Sequence, residues 1–144
     1  MAKQIHFEDV VVGSDIPTLI KHPTTRQLVM WAGASGDYNE IHYDKDIALA
    51  QNLPGVIIHG WVTASYLCQV ITDWMGDDGM LKKFSVAFRG MLLPGQDVTC
   101  KGKVTKKYTE GKENLVECEI WAENPKGEKT APATAIVSLP SKGK

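Results

Sequence analysis

Gly60-Trp61-Val62-Thr63-Ala64-Ser65-Tyr66-Leu67-Cys68-Gln69-Val70-Ile71-Thr72-Asp73-Trp74-Met75 is the stretch that decides the fold. Its apolar residues fall nearly all the way round a helical wheel, and a helix of that kind has to be enclosed by other structure. Gly76-Asp77-Asp78-Gly79 turns the chain out of it. From Leu81 onward the apolar period becomes that of strands: Phe84–Arg89, Val98–Val104, Leu115–Trp121 and Thr134–Val137 alternate. Pro94-Gly95, Glu110-Gly111 and Asn124-Pro125-Lys126-Gly127 separate them, and such short connections imply antiparallel neighbours. The expectation is an α+β fold, one helix followed by a meander of about four strands that curls round it.

Upstream of the helix, Val10-Val11-Val12-Gly13 and Ile16-Pro17-Thr18-Leu19-Ile20 read as short extended pieces. Thr24 and Gln27 have the spacing of a capping box, followed by Leu28, Trp31, Ala32 and Ser35 at helical intervals, with Gly36 ending the helix. Asp44 can cap a second, short helix through Ile47-Ala48-Leu49-Ala50, which Leu53-Pro54-Gly55 terminates.

The 144 residues make a single domain, 1–144, large enough to bury a core. Lys+Arg 16 against Asp+Glu 17 gives a net charge of −1, which offers a nucleic acid nothing to bind. Cys68, Cys100 and Cys118 form no C-x-x-C pair and are odd in number, so reduced thiols and a cytoplasmic location are expected. His6, Glu8 and Asp9 stand where an export signal would need an apolar run. Val56–Met75 is interrupted by His59, Gly60, Ser65, Gln69 and Asp73, so it reads as a buried helix rather than a bilayer span of about 20 apolar residues.

Between the two capped helices lies Ser35-Gly36-Asp37-Tyr38-Asn39-Glu40-Ile41-His42. Asp37 and His42 do not share a helical face, but a loop turning at Asn39 can aim carboxylate and imidazole into one space. Acid–base chemistry on a water needs that pairing, with an amide to orient the water. Read singly, Asp37 is a loop cap and His42 a partly buried surface histidine. Gly60, at the start of the central helix, offers free N–H groups and a positive dipole end, a candidate oxyanion site; alternatively the glycine only makes room for packing. His59 reads as a hydrogen-bonding histidine bordering that site. His6, His22, His42 and His59 show no mutual ligand spacing, so no metal is expected. Lys82, Lys83, Arg89, Lys106 and Lys107 are solvated cations or contacts for a phosphate-bearing substrate.

Ser35–His42, with Ala48 beyond it, resembles the hydratase motif of MaoC-like dehydratases, the (R)-specific enoyl-CoA hydratase family with the hotdog fold. His59-Gly60-Trp61-Val62-Thr63-Ala64 resembles that family's start of the central helix, and Phe88-Arg89 with Pro94-Gly95 its following strand and turn. The resemblance implies that Asp37 and His42 are catalytic, that Asn39 supports the loop and the water, and that the Gly60 amide polarises a thioester carbonyl, with His59 and Trp61 completing the substrate site. It implies hydration of a trans-2-enoyl thioester of CoA or an acyl carrier, with no cofactor. Glu40 stands where the family usually has proline, a change expected to loosen the loop. Trp61 replaces a smaller residue and is expected to narrow the acyl pocket, and Gln96 alters a turn away from the chemistry. The alternatives are a hotdog acyl-CoA thioesterase and a non-catalytic subunit of a heteromeric dehydratase. An open sheet edge calls for a partner, a homodimer, a higher homo-oligomer or a heteromer.

Overall fold

A computed structural model describes residues 3–143. Five strands form one antiparallel sheet: β1 (Asp15–Lys21), β2 (Met80–Val86), β3 (Val98–Glu110), β4 (Glu113–Glu123) and β5 (Lys129–Ser138), in the order β1-β3-β4-β5-β2. Three helices precede the last four strands: α1 (Thr25–Ser35), α2 (Lys45–Ala50) and α3 (Gly60–Met75).

The helix starts are fixed by side chains acting on free backbone donors. Thr24 and Gln27 form the reciprocal capping box of α1, with the Gln27 N–H donating to Thr24 Oγ1 at 3.3 Å and the Thr24 N–H to Gln27 Oε1 at 2.9 Å. Asp44 caps α2 by accepting from the Asp46 and Ile47 N–H groups. At the far end of α1, Gly36 sits at φ 76°, a left-handed geometry that lets its N–H close on the Ala32 carbonyl and swings the chain away.

The sheet wraps one side of α3. Leu67, Val70 and Ile71 project into a core made by Val98, Cys100 and Val104 of β3, Val116, Cys118 and Ile120 of β4, and Ala133, Ala135 and Val137 of β5. The run of alanines on β5 gives the helix room to lie close. Enclosure is incomplete, however: Trp61, Ser65, Thr72 and Asp73 stand on the outward side of α3 and are exposed. Of these four only Trp61 is apolar, so the sheet leaves uncovered mainly the polar side of the helix.

Two further expectations are corrected. Val10-Val11-Val12 is not extended sheet; Val10 closes a 3-10 turn over Phe7–Asp9, and the Gly13 N–H then bonds the Val104 carbonyl at 2.8 Å. The strands after α3 are not a simple meander either. β2 pairs with β5, not β3, and stops at Val86, before Phe88-Arg89. Residues 87–97 cross the molecule to bring β3 between β1 and β4.

Candidate active site

The loop leaving α1 is held by its own polar side chains. The Asp37 N–H donates to Ser35 Oγ at 3.2 Å, the Asn39 N–H to Asp37 Oδ1 at 3.3 Å, and the Ile41 N–H to Asn39 Oδ1 at 3.3 Å. These caps set a 3-10 turn over Glu40–His42, so Asn39 fixes the backbone that carries His42. The Ile57 N–H bonds the Ile41 carbonyl at 3.1 Å and ties the loop to the segment leading into α3.

That tie places three side chains together. The Asp37 carboxylate, a nitrogen of His42 and a nitrogen of His59 lie within 4.8 Å of one another, with both histidines buried and Asp37 the most accessible. The imidazoles stack, centroids 3.8 Å apart and planes inclined by 22°. His42 Nδ1 is 2.7 Å from the Ile57 carbonyl oxygen, and His59 Nε2 is 3.2 Å from the Asp37 carbonyl oxygen. A carbonyl can only accept, so each of those nitrogens carries the hydrogen. His42 Nε2 is thereby left as a free acceptor, the arrangement a base requires.

His59 is 1% exposed, and its Nδ1 is enclosed with no partner. Burial, and next the neighbouring His42, hold its pKa below the ordinary 6.5, so the ring stays neutral. The three groups have the composition of a metal-ligand set, which their spacing in the sequence did not suggest. Their geometry is unsuited to one. A ligating imidazole directs its lone pair in its own plane, and two nearly parallel stacked rings cannot converge on one ion at about 2.0–2.1 Å.

His42, Gly60, Thr63, Phe88, Arg89 and Thr130 border a cleft of about 390 Å³. Hydrogen bonding within α3 begins with the Val62 N–H on the His59 carbonyl, which leaves the Gly60 and Trp61 N–H groups without a backbone partner. The Phe88 ring lies on the glycine: a Cβ at Gly60 would come within 3.0 Å of it. The packing reason for this glycine is therefore present beside its free N–H.

Of the residues expected at the site, Asp37, His42, His59 and Gly60 are brought together and Asn39 supports them from the loop. Trp61 is not in the cleft wall. One residue on from Gly60, a helix turns its side chain by about 100°, and the indole stands on the rim, 61% exposed and edge-on to Phe88. Of the five cations, Arg89 alone borders the cleft. Lys82 pairs with Glu113, Lys106 approaches Glu117, and Lys107 donates to the Val10 carbonyl. Sequence reasoning missed Ile57, which acts through its carbonyl, and Thr63, whose only sign was its place one turn beyond Gly60.

A family model described as MaoC like domain matches residues 6–124. The chain belongs to the MaoC-like family. Among curated relatives, fatty acid synthase subunit beta of Aspergillus oryzae is 34% identical over 101 residues, covering 60% of this chain but 5% of that protein. The 3-oxo-4,17-pregnadiene-20-carboxyl-CoA hydratase beta subunit of Mycobacterium tuberculosis is 26% identical over 95 residues, 66% of this chain and 74% of that one. The MaoC-like chain thus spans most of the hydratase subunit and a small part of the synthase. The structure of R-hydratase PhaJ1 from Pseudomonas aeruginosa superposes with a TM-score of 0.87 at 21% identity, over 96% of this chain and 88% of that chain. That likeness establishes the hotdog fold of the MaoC-like chain, the α+β architecture expected from its sequence.

Proposed function

We propose that the protein is an (R)-specific enoyl-CoA hydratase or 3-hydroxyacyl thioester dehydratase, adding water across a trans-2-enoyl thioester. One observation carries the reading: the Nδ1 hydrogen of His42 is fixed on the Ile57 carbonyl, which leaves Nε2 to accept, and His42, within 4.8 Å of the Asp37 carboxylate, borders the cleft. A water between these groups donates a hydrogen bond to Asp37, which sets its direction and keeps that hydrogen on the oxygen, and gives up its other proton to His42 Nε2. Its oxygen bonds C3 as the C2–C3 π electrons move onto the thioester oxygen, where a free N–H at the start of α3 holds the enolate. The proton on His42 then passes to C2, and the carbonyl re-forms. The substrate is a CoA or acyl-carrier thioester, and no cofactor enters the reaction.

Similarity to a subunit called the beta subunit of a hydratase supports a second reading, in which the chain works within a heteromer. In that case the purified chain alone is inactive and activity appears on adding a partner chain.

The test is loss of enoyl absorbance with trans-2-enoyl-CoAs of four to twelve carbons, with chiral analysis of the product. Asp37→Asn and His42→Ala should each lower turnover by about 10²- to 10⁴-fold, the range for losing a general acid or base. Release of free thiol without hydration would make the protein a thioesterase and overturn the proposal.

A further inference from the structure

Most serine and threonine hydroxyls on α3 and at the cleft are engaged. Ser65 Oγ donates to the Trp61 carbonyl at 2.8 Å and Thr72 Oγ1 to the Gln69 carbonyl at 3.3 Å, the backbone bonds that helical Ser and Thr form when nothing else is offered. Thr130 Oγ1, on the opposite cleft wall, donates to the Ala122 carbonyl at 3.2 Å. Thr63 differs. The residue is 3% exposed, borders the cleft, and its hydroxyl has no hydrogen-bond partner among the described residues. Among the described residues the one fully enclosed side-chain N or O atom without a partner is His59 Nδ1, so the Thr63 hydroxyl is not sealed off, and the residue borders the cleft. A buried hydroxyl left without a bond costs stability unless a water or a ligand supplies one.

We propose that Thr63 is a second oxyanion donor, its Oγ1–H bonding the thioester oxygen together with the free N–H at the start of α3. The inference rests on the hydratase reading for its substrate. Thr63 lies three residues after Gly60, which on a helix puts the two on one face, a turn apart. Both border the cleft that His42 also borders. The Asp37–His42 end holds water, and a polar group further along α3 faces the carbonyl end of an acyl thioester whose β-carbon is over His42. Charge on that oxygen grows as water adds, so the Thr63 bond strengthens in the transition state and acts on turnover more than on binding.

The experiment uses a dienoyl thioester, 2,4-hexadienoyl-CoA, whose absorption moves to longer wavelength when its carbonyl is polarised. Binding to the Asp37→Asn protein, read by rapid mixing before its slowed turnover consumes the probe, should shift the band. Adding Thr63→Val, which keeps the shape and removes the hydroxyl, should at least halve that shift at saturating protein. Thr63→Ser should restore it. In the otherwise native enzyme, Thr63→Val should lower kcat on crotonyl-CoA by about 10- to 100-fold with KM changed less than about threefold, and Thr63→Ser should recover most of the loss. A full band shift in the valine variant, or parent kcat with intact circular dichroism, overturns the assignment. A bound probe with no shift in any variant overturns the oxyanion site itself. A Thr63-dependent shift in a protein that never hydrates crotonyl-CoA would uphold the donor and refute the hydratase reading, so the two failures are distinguishable.

Discussion

At the level of single residues, the site depends on a histidine that stays neutral. His59 donates from Nε2 to the Asp37 carbonyl and stacks on His42, so a charge on it would lie against any charge on His42. Burial depresses its pKa from 6.5, and the sign of the consequence follows from proton uptake. Well above pH 6.5 the ring is neutral folded and unfolded, and contributes no pH dependence. As pH falls below that value the unfolded chain binds a proton that the folded chain refuses, and stability declines until the folded pKa is reached. Urea midpoints measured from pH 8 to pH 5 should therefore fall less steeply for His59→Gln, which keeps a donor for the Asp37 carbonyl, than for the parent. Equal acid slopes in the two proteins would move the cause to other groups. The proximity of Asp37 and His42 was legible from an acid, an amide and an imidazole around one glycine-ended helix. Their orientation was not, because the groups that set it are the backbone carbonyls of Ile57 and Asp37, and a carbonyl has no residue type to betray it.

Among the elements, both ends of α1 and the start of α2 were legible, since Thr24, Gly36 and Asp44 act on the backbone within a few residues and leave a mark in the sequence, while α3 was legible from its apolar run. Strand order was not. Pro94-Gly95 reads as a hairpin turn, yet the Gly95 N–H bonds the Pro23 carbonyl at 2.7 Å, part of a crossing that carries the chain from β2 to the far side of the sheet. Pairing across such separations is decided by which apolar faces meet α3, a tertiary choice that local turn chemistry cannot record. The same packing protects the thiols. Cys100 on β3 and Cys118 on β4 are buried, and burial pushes both pKa values up to about 12. Cys68 on α3 is half-buried and also raised by burial. A thiol reagent at pH 8 should label Cys68 alone, slowly, in the native protein and all three after denaturation. Fast labelling of a second site without denaturant would mean that β3 and β4 part in the folded state.

For the whole molecule, the cleft rim at the start of α3 remains apolar and uncovered. Trp61, Phe88 and Met91 are all exposed, and β1 and β2 each present an unpaired sheet edge. Exposed apolar groups beside open edges call for a second chain. Light scattering on purified protein should give a mass at least twice 15.8 kDa. A monomeric mass at micromolar concentration would leave a heteromer as the remaining way to cover that face. The order of strands also governs how the chain can be made. The polar groups of the site, from Asp37 to Thr63, leave the ribosome before β2, β3, β4 or β5 exists, while Phe88, Arg89 and Thr130 of the cleft come later. β1 must wait for residues 98–110 and β2 for residues 129–138, so nascent α3 emerges with no sheet to lie on. The family match ends at residue 124, but a chain stopped there would lack β5 and leave β2 with no neighbour. Folding of this domain therefore waits for β5, and until then the apolar face of α3 has no complete sheet to cover it.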